Sequence, residues 1–280
     1  MADKQVVAIA GASDTAKYLV EELEKTNRYS IVLITRAERP WFNRPSITQH
    51  ITDYTESSLL SILNTTHATI LFSFLHSNDP SFYNTAHLAM LRACSLSSDC
   101  TRFVPSEYGG DLINHPDKPR FYIPTHGALR RALRKHKQLH RDDESKEVEW
   151  TLMCMGWFMD YFGETEKRYY KDMPDGFWPL DTKNWKAVIP GTGEERIGWT
   201  AGRDVAKALV RLIEVPRGEW PEETYVMGTE GTWNEALGWV QNFHGRKFES
   251  VEYRTPAQIY REIADCYAEP EEQVTLARAD

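Results

Sequence analysis

No stretch of the chain reaches the roughly 18 continuous apolar residues that crossing a bilayer requires. The opening "MADKQVVAIAG" has too short an apolar part for a secretory signal, so the expectation is a soluble, cytoplasmic protein without a membrane partner. Cysteine is scarce: Cys94, Cys100, Cys154 and Cys266 stand apart, with no CxxC and no Cys/His ligand spacing, which excludes a zinc motif and a disulfide framework and fits a reducing compartment. Basic excess is absent as well. A net charge of -8 and a pI near 5.7 argue against general affinity for nucleic acid. There is no GxSxG elbow and no metal-ligand cluster, and "YYKDM" has the wrong spacing for the Ser-Tyr-x-x-x-Lys arrangement of ordinary short-chain dehydrogenases. Repeats and low-complexity linkers are missing too, so any domain boundary is soft.

What is present is alternation. Strand patterns at 5–10, 30–36, 46–51, 68–74 and 101–106 take turns with helical patterns at 14–25, 56–64 and 80–96. Buried β-branched strands separated by helices predict an α/β, Rossmann-like, doubly wound parallel sheet, whose ligands bind beyond the strands' C-terminal ends. A basic helix near 127–141 and the strand "EVEWTLMCM" (147–155) follow, the latter rejoining the sheet. Residues 156–198 are rich in aromatics, Gly and Pro with little periodicity; helices at 200–214, 233–243 and 256–267 and strands at 224–228 and 247–253 complete the chain. The expected division is a nucleotide-binding domain over 1–155, its sheet completed by later segments, and a smaller α+β substrate lobe over 156–280.

The first strand–helix turn reads "GASDTAK". Turns of this kind use glycines so that the backbone approaches a pyrophosphate and the first helical amides face it. Gly11 is kept, while Asp14 and Lys17 stand where further glycines belong. One reading is NADP(H) binding through Gly11, Ser13, Asp14 and Lys17, with Arg36 after the second strand meeting the 2'-phosphate, and with Ser73, Phe74 and Ser106 at later strand ends lining the cofactor. The other is that Asp14, a favourable N-cap, bonds the amides of Ala16 or Lys17 and fills the anion's place. Arg36 has a plain alternative as a solvated strand end.

The most distinctive stretch is "RFVPSEYGGD" (102–111), which puts polar and aromatic groups at a strand end. Together with "GASDTAKYL", "EWTLMCMGWFMDY", "VIPGTGEERIGWTAGRDVAKAL" and "TYVMGTEGTWNEAL", it resembles the NmrA-like and isoflavone-reductase-like family of atypical short-chain dehydrogenases over nearly the whole chain. The resemblance implies an NADP-binding domain, a substrate lobe and, in the plant reductases, hydride transfer assisted by a lysine downstream of PSE[FY]G. In "RFYIPTHGALRR" (120–131) that lysine is missing: Thr125 or His126 takes its place, Lys118 comes too early and Lys135 too late.

His126, with an ordinary pKa of about 6.5, is the candidate proton donor, or else a plain helix-start residue. Glu107 and Tyr108 are candidates for acid, base or substrate orientation; the alternative for Glu107 is a loop brace. Tyr122, Trp157, Phe158 and Tyr161 offer aromatic surface to a small hydrophobic or aromatic metabolite, or pack a core. On the basic helix, Arg130, Arg134 and Lys137 share a face, read as solvated with local countercharge from "DDE" (142–144) or as a partner contact. Three functions follow: an NADPH-dependent reductase of an aromatic or polyketide- or terpenoid-type metabolite, a non-redox isomerase, cyclase or dehydratase on the same fold, and a dinucleotide-sensing regulator. Assembly is left open, a homodimer included.

Overall fold

The computed structural model describes residues 4–77, 79–111, 114–116, 122–139, 147–169 and 176–268. The chain divides into two compact units, one made of Met1–Gly156 with Gly202–Val226, the other of Trp157–Ala201 with Met227–Asp280. A single cut at 155 therefore describes only the first crossing, since 202–226 groups with the first unit.

The first unit is built on a six-stranded sheet in the order β3-β2-β1-β4-β5-β6. These are Ile47–Ile51 (β3), Tyr29–Thr35 (β2), Gln5–Ala10 (β1), Ala68–Ser73 (β4), Arg102–Val104 (β5) and Glu149–Trp150 (β6), all paired in parallel. Strands covered on both faces need apolar residues at every position. Val7 to Ala10, Ile31 to Ile34 and Ile70 to Phe72 are all buried. Helices α1 (Asp14–Thr26), α2 (Glu56–Thr66), α3 (Pro80–Leu96) and α4 (Ile123–Leu139) connect the strands. Asn27 and His67 end α1 and α2 in the left-handed conformation, and Asp79 caps α3 through the Ser81 amide at 2.8 Å, with Pro80 following. The basic helix begins at Ile123, four residues before its expected start.

The strand expected over 147–155 breaks at Thr151. Glu149–Trp150 stays in the sheet, while Leu152–Cys154 (β7) pairs with Glu223–Tyr225 (β12), and the loop after β5 bridges to it at Gly109 and Cys154. Helix α5 (Gly202–Glu214) returns onto α1, where Arg203 pairs with Glu21 and Glu22 at 2.8 and 2.9 Å and Arg28 pairs with Glu214.

In the second unit the weakly periodic stretch proves to hold short strands. Trp157–Phe158 (β8), Leu180–Asp181 (β9), Lys186–Pro190 (β10) and Ile197–Thr200 (β11) join Thr229–Gly231 (β13) and Ser250–Arg254 (β14) in two three-stranded sheets, β14-β10-β9 and β13-β11-β8. Strands of two residues leave no period to read. Helix α6 (Trp233–His244) starts from a capping box of Thr232 and Glu235 and covers a core of Trp199, Trp233, Ile189 and Leu180; α7 (Pro256–Ala268) follows β14.

Candidate functional site

At the C-terminal edge of the first unit's sheet, β1 turns into α1 at Gly11. Its φ of +91° suits glycine, and a Cβ there would stand 2.7 Å from the Leu75 amide nitrogen and 2.8 Å from the Phe74 carbonyl carbon, so the turn lies directly on the end of β4. Gly11 N–H donates to the Ile34 carbonyl at 3.0 Å and Phe74 N–H to the Ala10 carbonyl at 2.7 Å. The same Ile34 carbonyl accepts the hydroxyl of Tyr54 at 2.8 Å, a residue the sequence did not mark. Burial pushes that phenol up to about 12.

Asp14 does not cap the helix. Ser13 occupies the N-cap position, without a side-chain cap bond, and Asp14 is the first helical residue, its carboxylate 2.7 Å from the Lys17 ammonium. The expected fixed anion over the amides is thus a locally neutralised pair. Arg36 is exposed, its guanidinium 4.9 Å from the centre of the Phe82 ring, which in turn meets Tyr54 edge-on at 6.2 Å.

Ser73, at the end of β4, is fully engaged. His87 Nδ1 faces the Tyr83 carbonyl at 2.9 Å, which can only accept, so Nδ1 carries the proton and Nε2 accepts the Ser73 hydroxyl at 3.0 Å; Ser73 Oγ also accepts the Leu75 amide. Burial holds this imidazole near 4. Above it runs a stack of rings: His87 to Tyr83 at 4.0 Å, Tyr83 to His126 at 4.7 Å, His126 to Tyr122 at 4.1 Å. The Tyr83 hydroxyl donates to the Ser106 carbonyl at 2.8 Å, and His126 Nδ1 lies 2.6 Å from Thr125 Oγ1. Burial first, and then the Arg130 charge, drop His126 to about 3. The ordinary pKa expected for it does not hold: this histidine is neutral at physiological pH.

Glu107 and Tyr108 follow on the same loop. Tyr108 stacks on Phe74, ring centres 4.8 Å apart and 5° from parallel, which joins the ends of β4 and β5. Its hydroxyl is buried without a hydrogen-bond partner among the described residues, and burial raises its pKa well above the usual phenol. Glu107, 1% exposed, receives Arg130 Nε–H and Nη2–H on Oε2 at 3.0 and 2.7 Å, while Arg130 Nη1 donates to the Pro116 carbonyl. Arg130 is therefore no solvated stripe residue and no partner contact: it is buried at 4% exposure. Its side-chain partner is Glu107 from another element; Asp142 to Glu144, like Lys118, lie outside the described residues. Lys137 meets Glu222 at 3.1 Å. Contacts thus link the end of β1, Arg36 and the Ser106 to Gly109 corner through Phe74, Tyr108, Phe82 and Tyr54.

Trp157, Phe158 and Tyr161 belong to the second unit. Trp157 packs against Phe177, Trp178 and Trp233 with centres 5.3 to 5.7 Å apart, and Tyr161 lies 5.2 Å from Trp178 with Arg168 over its face at 5.4 Å. All three are half-buried. Among the described residues no group of three His, Cys, Asp or Glu could hold a metal ion, and no helix is long and apolar enough to cross a membrane.

No family model matches the chain. It is 39% identical over 235 residues to the oxidoreductase swnR of Arthroderma benhamiae, covering 84% of this chain and 72% of that protein. Among solved structures it is similar to the leucoanthocyanidin reductase of Vitis vinifera in binary complex with NADPH, with a TM-score of 0.69 at 17% identity over 97% of this chain and 84% of that one. It is also similar to the pinoresinol-lariciresinol and phenylcoumaran benzylic ether reductases, with a TM-score of 0.70 at 16% identity over 99% and 86%. These likenesses establish the Rossmann-like, isoflavone-reductase-like fold expected from the "VPSEYG" stretch.

Proposed function

The chain belongs to the family of the swnR oxidoreductases, and from that premise we propose that it is an NADP(H)-dependent reductase of a small aromatic or polyketide- or terpenoid-type metabolite. The observation that carries the reading is the Gly11 turn, where the backbone of β1 meets that of β4 with no room for a Cβ, at the point where strand order reverses in the sheet. The residues around it suit a dinucleotide. Gly11 lets the turn close against the end of β4 at the switch point, Lys17 offsets the Asp14 charge that would repel a pyrophosphate, and Arg36 stands exposed for a 2'-phosphate. A bound nicotinamide supplies hydride; the chain supplies the proton and the orientation.

In this reading Glu107 is the group that holds the proton, and the Tyr108 hydroxyl, which has no acceptor among the described residues, orients the substrate's polar atom. His126 stays neutral and fixes Tyr122 and Thr125 rather than titrating. The aromatic substrate class is supported by Tyr122 beside His126 in the first unit and by the similarity to pinoresinol-lariciresinol and phenylcoumaran benzylic ether reductases. The test is a titration of NADPH and NADH followed by tryptophan fluorescence, with NADPH oxidation read in parallel. NADPH is expected to bind more tightly than NADH, and Arg36→Ala to erase about a tenfold preference, the worth of one charge-assisted contact. Absence of binding by either nucleotide overturns the reading.

A further inference from the structure

Strand β14 forms one side of its sheet. It pairs with β10 in parallel, and the order β14-β10-β9 leaves its other side without a strand among the described residues. The opposite edge, β9, is two residues long and offers little backbone to a further strand. β14 is five residues long, and Ser250 to Tyr253 are exposed. Such an edge presents a row of N–H and C=O groups to any strand that can lie beside it. Its side chains alternate between the two faces. Val251 and Tyr253, 38% and 45% exposed, share one face, where the Tyr253 hydroxyl donates to Asn234 Oδ1 of α6 at 2.8 Å. Glu252 and Arg254 share the other: Arg254 Nε donates to Glu252 Oε1 at 3.2 Å and Nη1 to Glu262 Oε2 of α7 at 2.9 Å.

Edge strands are commonly guarded by lysine, proline, a bulge or an inward-pointing charge. β14 carries no lysine or proline, its register with β10 is unbroken, and its two charges are of opposite sign. Charges of one sign repel every copy of themselves; Glu252 and Arg254 do not. In an antiparallel pair of identical strands, outward-facing backbone must meet outward-facing backbone, so the two-fold axis passes through a residue. An axis through Glu252 sets Glu252 against its copy, and one through Arg254 sets Arg254 against its copy, so each opposes like charges. An axis through Val251 faces Glu252 with Ser250 and leaves Arg254 without a countercharge across the pair. An axis through Tyr253 sets the two Tyr253 residues opposite each other and each Glu252 opposite an Arg254, and such cross-strand pairs are what stabilises a sheet.

We infer that β14 is a homodimerisation edge: a second copy of this chain adds its own β14 antiparallel, with the two-fold axis at Tyr253, so that the two copies of the β14-β10-β9 sheet become one. Glu252 and Arg254 of the two copies then alternate in sign around the axis and sum to zero. Helix α7, tied to Arg254 through Glu262, adds apolar surface next to the strand, with Tyr260 and Ile263 exposed at 60% and 37%. A strand from an unrelated protein would place no demand on this sequence, whereas the order Glu-Tyr-Arg is matched by its own copy. The inference does not depend on the reductase reading.

The test is sedimentation velocity of the full chain, without nucleotide, over a concentration series reaching about 100 μM. The chain is expected to dimerise. Arg254→Glu turns two attractions into two repulsions and is expected to weaken the dimer about tenfold, as is Glu252→Arg, which leaves the tie between Arg254 and Glu262 in place. Exchanging both residues together restores opposite charges across the pair and is expected to recover most of the loss. In a Cys266→Ser background, Tyr253→Cys is expected to cross-link to its copy when diamide takes up the two thiol hydrogens, and Val251→Cys, which would face Thr255, is not. A chain that stays monomeric throughout the series, a dimer indifferent to both single reversals, or cross-linking at position 251 rather than 253 overturns the inference.

Discussion

Removing the Arg130 guanidinium leaves the Glu107 carboxyl buried with a donor on neither oxygen. The consequence depends on pH, and its sign follows from the shift. Glu107 is raised from an ordinary 4.5 to about 7, chiefly by burial. Its contribution to stability is therefore complete below pH 4.5 and lost as pH rises through 7. Arg130 limits that loss by favouring the ionised form, so without it the midpoint climbs and the alkaline penalty grows. Arg130→Met is expected to cost on the order of 3 kcal/mol at about pH 8 and roughly half that at about pH 5, read from urea unfolding at the two values. Equal costs would mean that Glu107 is not the group that feels Arg130. His87 and His126 act in the opposite sense: lowered to about 4 and about 3, they withdraw stability as pH falls below 6.5.

At the scale of the element, the β1–α1 turn depends on one missing side chain. A methyl on Gly11 would meet backbone atoms of Leu75 and Phe74 at 2.7 to 2.9 Å, and backbone cannot swing aside as a flexible side chain does. Adding the strain of a positive φ, Gly11→Ala is expected to lose about 2–4 kcal/mol and to weaken NADPH binding together with stability. Gly110→Ala, where nothing lies within 4 Å, is the control and should stay within about 0.5 kcal/mol. Thermal melts of the two variants decide it; a neutral Gly11→Ala would mean that β1 and β4 do not meet at that corner. The turn itself was legible, because an apolar strand, a glycine and an amphipathic helix in sequence have few other folds. Whether Asp14 or Ser13 caps α1 was not legible, since both are good caps and one residue of register separates them. Nor was the Arg130 partner: helical periodicity groups Arg130 with Arg134 and Lys137, whereas the carboxyl that accepts its hydrogen bonds lies on a loop 23 positions earlier. The His126 pKa was hidden for the same reason, being set by burial and by the Arg130 charge, which only the tertiary fold supplies.

For the whole molecule, the return of 202–226 to the first unit has a thermodynamic weight. Helix α5 buries Val205, Leu209, Val210, Leu212 and Ile213, α1 buries Leu19, Val20 and Leu23, and the two helices pack together. Around them Arg102 joins β5 to this segment, bonding Glu149 at 2.8 Å and the Ile213 and Val215 carbonyls while lying over the Trp220 ring. A fragment of residues 1–156 loses α5, β12 and the Glu223 carboxylate in one cut, although every strand of the parallel sheet remains. At about 1.5–3 kcal/mol for each large apolar side chain returned to water, the loss is on the order of 10 kcal/mol, comparable with the entire stability of an ordinary domain. That fragment is expected to lack a near-ultraviolet circular dichroism signal and a cooperative melt, and to recover both when residues 202–226 are added as a separate peptide. A fragment that melts cooperatively alone, with the near-ultraviolet signal of its own aromatic residues intact, would show that the sheet and its first four helices suffice, and that the returning segment covers rather than completes the first unit.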